Sequence, residues 1–219
     1  MYSFAQRLDT RVLDEPLFGH FLSHTGAQRP SRQEVLATMP TDRQMALSSL
    51  IPIESDDILF LKHMANHIEG LNWVDVDAPN HRHVILTRHP DAVLSSYRAH
   101  VNRPTMLDVG YAHQMRIVQE AGDRAVVLTA EALFENPQAT LRALCKALDV
   151  PWDPVMLRWN KGGRPEDGVW AKYWYHSVHN STGWEPRKLS HHPAPVELRE
   201  LREACMEHYR DLASKAIQP

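Results

Sequence analysis

The chain has 219 residues, and its 24 Lys and Arg against 27 Asp and Glu give a formal net charge of −3, which excludes a generally basic nucleic-acid or membrane-surface binder as the first reading. At 43% hydrophobic and 23% charged residues it is too apolar for a disordered chain; no apolar run approaches the ~18 residues of a membrane span and no signal peptide opens it. Two cysteines, Cys145 and Cys205, are too few for a disulfide framework or a multi-thiolate zinc site, so a cytoplasmic setting is expected.

The length predicts one domain over residues 1–219. In chain order, β-type runs fall at Thr10 to Leu13, Ile58 to Leu61, His83 to Thr87 and Arg124 to Leu128, each followed by a segment of helical periodicity. Helices are predicted at Asp91 to His100, Tyr111 to Glu120, Pro137 to Leu148 and Pro195 to Ser214, the third opened by an Asn136 cap and Pro137. This alternation predicts an α/β fold, a parallel sheet flanked by helices. Residues 159–195, rich in tryptophan, histidine, glycine and proline, read as a long ordered loop or flap.

Three motifs bear on chemistry. His63-Met64-Ala65-Asn66-His67 sets two imidazoles one helical turn apart, as in zinc peptidases, but Met64 stands where those enzymes need a glutamate, and scattered histidines are more often solvated or packed. No metal is expected. A nucleotide triphosphatase loop is also excluded, since Gly163 to Gly168 has the glycine spacing but Val169 and Trp170 follow in place of lysine and a hydroxyl. The 9 glycines of the whole chain are few for phosphate-cradling loops. The most informative stretch runs from Ile85 to Tyr97. A strand ends in Arg88, the chain turns at Pro90, and a helix begins near Asp91 with Ser96 on its second turn. A guanidinium and a hydroxyl beside a helix N-terminal region suit a phosphate dianion. The alternative is that Arg88 is an ion-pair partner of Asp91 and Ser96 a helix-surface residue.

That stretch resembles the 3′-phosphate-binding segment of sulfotransferases that use 3′-phosphoadenosine-5′-phosphosulfate, in which a serine lies eight residues after the strand-end arginine. Leu128 to Pro137 with the helix after it, and Leu59-Phe60-Leu61-Lys62, resemble further segments of that family. Val12-Leu13-Asp14-Glu15-Pro16, Phe60 to His67 and Glu166 to Gly183 are similar to a sulfotransferase-like P-loop subgroup. The resemblance implies in-line sulfuryl transfer from 3′-phosphoadenosine-5′-phosphosulfate to a small-molecule hydroxyl or amine. Lys62 would neutralise the bridging or leaving oxygen, His67, or else His63, would be the base, and Arg88 and Ser96 would bind the 3′-phosphate. Lys172, His176, His179, Ser181 and Thr182 would be polar contacts of a flap over the nucleotide. Met1 to Arg7 looks like the middle of the family's first helix, so the fold is expected to be N-terminally shortened, without the first strand and the 5′-phosphosulfate loop. A non-catalytic nucleotide- or partner-binding relic of the fold is therefore the alternative. Neither nucleic acid nor membrane is expected as a partner.

Overall fold

The computed structural model describes residues 1–51, 58–98 and 100–219. In chain order its elements are β1 (Thr10–Asp14), α1 (Phe18–Thr25), α2 (Arg32–Thr38), α3 (Arg43–Ser48), β2 (Ile58–Lys62), α4 (Trp73–Val76), β3 (His83–Thr87) and α5 (Pro90–Tyr97). There follow α6 (Met106–Val109), α7 (Tyr111–Ala121), β4 (Ala125–Thr129), α8 (Ala130–Glu135), α9 (Pro137–Ala147), α10 (Ala171–Trp174), α11 (His176–His179) and α12 (Arg199–Ser214). Each predicted strand is present within a residue of its expected bounds, and each pairs in parallel. The pairs are β1 with β2 and β3 with β4. No described helix is long and apolar enough to cross a membrane.

The chain divides into two compact units. The first is Met1–Val76 with Asp153–Trp184, and the second is Asp77–Trp152 with Glu185–Pro219. The expected flap therefore contributes 159–184 to the first unit and 185–195 to the second.

In the first unit the register sets Asp14 opposite Lys62 at the C-terminal ends of β1 and β2. Leu17, Ala46, Leu50 and Leu71 form a buried cluster beside Leu47, Leu61 and Val76; removing such apolar area from water is the main favourable term in folding. Residues 1–7 do not form the interior of an α-helix. They make one 3₁₀ turn, Phe4–Gln6, and Phe4 stacks on Phe60 of β2 at 4.5 Å. That packing fixes the segment by tertiary contact, which helical appearance in the sequence does not report.

In the second unit β3 and β4 run in register from His83 opposite Ala125 to Thr87 opposite Thr129. Arg124 lies in a 3₁₀ turn just before β4. Helix α9 follows the expected pattern: Asn136 accepts from the Ala139 N–H at 3.2 Å, Pro137 occupies the first turn, and Leu141, Leu144 and Cys145 are buried. Helix α5 begins at Pro90 and ends at Tyr97; residue 99, inside the expected helix, is outside the described residues. The last helix starts at Arg199, after a 3₁₀ turn at Val196–Leu198.

Candidate functional site

Lys62 ends β2 in the first unit, surrounded by Asp14 at the end of β1, Glu15 just after it, and Tyr175 between α10 and α11. Its Nζ is paired with Glu15 Oε1, stands 3.3 Å from Asp14 Oδ1 and donates to the Tyr175 hydroxyl at 2.6 Å. Tyr175 in turn donates to Asp14 at 2.7 Å and accepts from the Trp170 indole at 3.3 Å. The Gly168 N–H adds a bond to Asp14 Oδ2 at 3.1 Å. A side chain at position 168 would collide with the Trp170 ring, since an added Cβ would stand 2.1 Å from it; glycine lets the ring approach the cluster.

Burial works against the Lys62 ammonium, but Glu15 and Asp14 together outweigh it and hold its pKa above the ordinary lysine value. Burial also raises Asp14, with Lys62 opposing, and raises the Tyr175 phenol far above its usual value. One ammonium against two carboxylates leaves the cluster with a formal charge of −1. Glu15 has φ 49°, and its N–H donates to the Lys62 carbonyl at 2.7 Å. A left-handed conformation before a proline is costly for a side-chain-bearing residue, of order 1–3 kcal/mol, so the ion pair and that backbone bond hold Glu15 there.

The two expected bases differ in setting. His63 lies half-buried in the segment after β2. His67 sits in the 3₁₀ turn Ala65–Ile68, 2% exposed, stacked on Phe18 at 4.7 Å and 9° and against Phe21 at 4.9 Å. Its Nε2 is 3.9 Å from Glu15 Oε2, and its buried Nδ1 has no hydrogen-bond partner among the described residues. Burial, then Lys62, hold its pKa well below the ordinary value, so the ring is neutral at pH 7.

Several expected flap contacts are taken up within the unit. Lys172 pairs with Glu34 at 2.8 Å, His179 with Asp167 at 2.9 Å, and Ser181 accepts from the Trp159 indole at 3.1 Å. Thr182 lines a cavity of about 400 Å³ with Arg158 and Lys161.

Arg88 and Ser96 belong to the second unit. The backbone on either side of the Arg88 side chain is pinned: its carbonyl accepts from the Tyr111 hydroxyl at 2.5 Å, and the next N–H, of His89, donates to Glu131 Oε1 at 3.1 Å. The guanidinium itself is exposed and has no ion pair among the described residues. Asp91 is not its partner. That carboxylate is held by Arg202 at 2.5 and 2.9 Å and by the Ala194 N–H at 3.0 Å; the Arg202 hydrogen bond chiefly keeps its pKa at about 2. Ser96 lies exposed on α5.

The family described as sulfotransferase domain matches residues 1–216. The chain belongs to this family. The sulfotransferase domain is 37% identical, over 98% of its length, to branched-chain-amino-acid aminotransferase-like protein 1 of Arabidopsis thaliana, and 33% identical, over 97%, to branched-chain-amino-acid aminotransferase-like protein 2. It spans 39% and 38% of those proteins. Among solved structures it is similar to the sulfotransferase domain from the curacin biosynthetic pathway, with 16% identity, a TM-score of 0.44 and coverage of 91% of this chain and 78% of that one. A second is the sulfotransferase domain from the Synechococcus PCC 7002 olefin synthase, with 16% identity, a TM-score of 0.41 and coverage of 89% and 93%. Membership rests on the sequence match.

Sequence reasoning gave no role to Asp14, Glu15 or Tyr175. The signal for the first two was legible as two acids at a strand end before Pro16. Tyr175 carried no such mark, because it reaches Lys62 from 113 positions away.

Proposed function

We propose that this sulfotransferase domain binds 3′-phosphoadenosine-5′-phosphosulfate and transfers its sulfuryl group to a small-molecule hydroxyl or amine. The observation that carries the reading is Arg88: a guanidinium presented from a pinned backbone, exposed, with the nearby Asp91 already held by Arg202. Such a group fits the 3′-phosphate as a charge-assisted donor, and the Ser96 hydroxyl on α5 is a second donor for it. The donor supplies the activated sulfuryl group. Lys62 neutralises charge on the leaving oxygen once its ammonium turns from the carboxylates, and catalysis of this kind rests on positioning and charge stabilisation. A neutral His67 retains the lone pair a base needs; His63 is the more exposed alternative.

The commitment of Lys62 to Asp14, Glu15 and Tyr175 favours a second reading, a nucleotide-binding protein without turnover. One experiment separates them. Calorimetry with 3′-phosphoadenosine-5′-phosphate should show binding that weakens at least about tenfold in Arg88→Ala, the scale of one charged hydrogen bond. Labelled phosphosulfate should then turn over with acceptor hydroxyls and amines, and the rate should vanish in Lys62→Ala and His67→Ala. Binding without turnover would leave the second reading standing; unchanged binding in Arg88→Ala would remove both.

A further inference from the structure

Asp77 and His81 lie in the segment leading into β3 and His83 is its first residue, all within the second unit. Each offers one ligand atom, and the three atoms all lie within 4.8 Å of one another. The His83 Nε2 is 2.8 Å from Asp77 Oδ1, and the two imidazole rings stand 6.3 Å apart at 66°. All three side chains are half-buried, partly shielded from water yet reachable from it.

With bonds of about 2.1 Å, two ligand atoms of a tetrahedral zinc ion stand about 3.4 Å apart. His81 must therefore close by up to about 1.4 Å through rotation of its side chain, and the His83–Asp77 pair must open by about 0.6 Å, to complete the set. The ion would take the position between His83 and Asp77 that a shared hydrogen now fills. Arg124 holds both oxygens of the carboxylate: its Nη2 donates to Asp77 Oδ2 at 2.6 Å, its Nη1 to Oδ1, the oxygen that faces His83, and, at 2.9 Å, to the Ala78 carbonyl. A fixed hydrogen-bond partner on a ligating carboxylate sets the ligand's orientation.

The same guanidinium decides which ion fits. It cancels the charge of Asp77, so the triad has no net negative charge to attract a hard cation. One carboxylate is also far short of the six to eight oxygens calcium takes, and magnesium favours carboxylates with phosphates. Two imidazoles and one carboxylate instead suit zinc and its late first-row neighbours. With three protein ligands, one position of a tetrahedral ion would stay open to water or an anion.

We propose that Asp77, His81 and His83 form a binding site for a divalent transition-metal ion of the zinc type, independent of the sulfuryl-transfer residues. The test uses the full chain without a histidine tag, stripped with chelator and titrated with Zn²⁺ by calorimetry at pH 7.5. One Zn²⁺ per chain is expected, with at least about tenfold weaker binding in His81→Ala and in His83→Ala, no heat from Mg²⁺, and a Co²⁺ absorption spectrum that both variants lose. Circular dichroism checks each variant's fold, and His81→Asn repeats the test should the alanine variant unfold. Absence of Zn²⁺ binding overturns the proposal. So does binding that both histidine variants retain, which would place the ion on other histidines of the chain.

Discussion

Replacing Lys62 by methionine removes the side-chain ammonium that pairs with Asp14 and Glu15. Their side chains are 0% and 7% exposed, against 24% for Lys62, so water cannot take over its role. The folded variant must then either keep two uncompensated buried carboxylates or take up a proton. At about 1.36 kcal/mol per pKa unit, protonating at pH 7 a carboxyl whose ordinary pKa is ~3.8 costs about 4 kcal/mol. Asp14 is already shifted upward by burial, which reduces that cost, so a loss of about 3 kcal/mol is expected, at the lower end for a broken buried pair. The sign with pH follows. The folded variant holds a proton that its unfolded chain lacks, so its stability relative to the parent should rise by about 1.4 kcal/mol for each unit between pH 7 and pH 5. Glu15→Gln added to Lys62→Met should restore at least ~1 kcal/mol, since it removes one of the stranded charges. Urea denaturation followed by tryptophan fluorescence is the assay, because Trp73, Trp159, Trp170, Trp174 and Trp184 all belong to the first unit and only Trp152 to the second. A loss below 1 kcal/mol, or a gap that does not change with pH, would refute the view that the ammonium balances two buried carboxylates.

His67→Phe should leave urea stability within about 1 kcal/mol, since phenylalanine keeps the stacking on Phe18 and removes a buried nitrogen that has no partner among the described residues; sulfuryl transfer should nonetheless be abolished, and retained turnover would assign the base to His63. The parent chain should lose stability as pH falls below ~6.5, because unfolded His67 takes up a proton that the folded ring refuses; His67→Phe should reduce that loss but leave the part due to His83 and His89, which burial also shifts downward. In the second unit, Asp91 contributes stability that is complete above its unfolded pKa of 3.8 and lost as pH falls through about 2. The difference between parent and Arg202→Met in acid denaturation should accordingly be about 1–2 kcal/mol at pH 6, reduced by the partial exposure of Arg202, and should vanish near pH 2.

Much of the fold was legible in local sequence. The apolar runs at Ile85 and Val126 mark strands, although Leu86 of β3 is exposed, and Asn136 with Pro137 marks the start of α9, because caps and period depend on residues a few positions apart. Helix α1 carried no side-chain cap to announce it, and α8 fills the short interval between β4 and Asn136. Both form because Leu17, Phe21 and Leu133 find buried positions, which is tertiary information.

The site divides in the same way. The sequence placed Lys62 at the end of a strand and Arg88 and Ser96 at a strand-to-helix step, and it was the family resemblance that marked these residues and His67 as candidates. Only the tertiary structure decided what those groups face. It drew Arg202 onto Asp91 and so left Arg88 without that partner, it enclosed His67 between Phe18 and Phe21, and it set Asp14, Glu15 and Tyr175 around Lys62. Charge state depends on burial and on partners within a few ångströms, and those partners are distant along the chain.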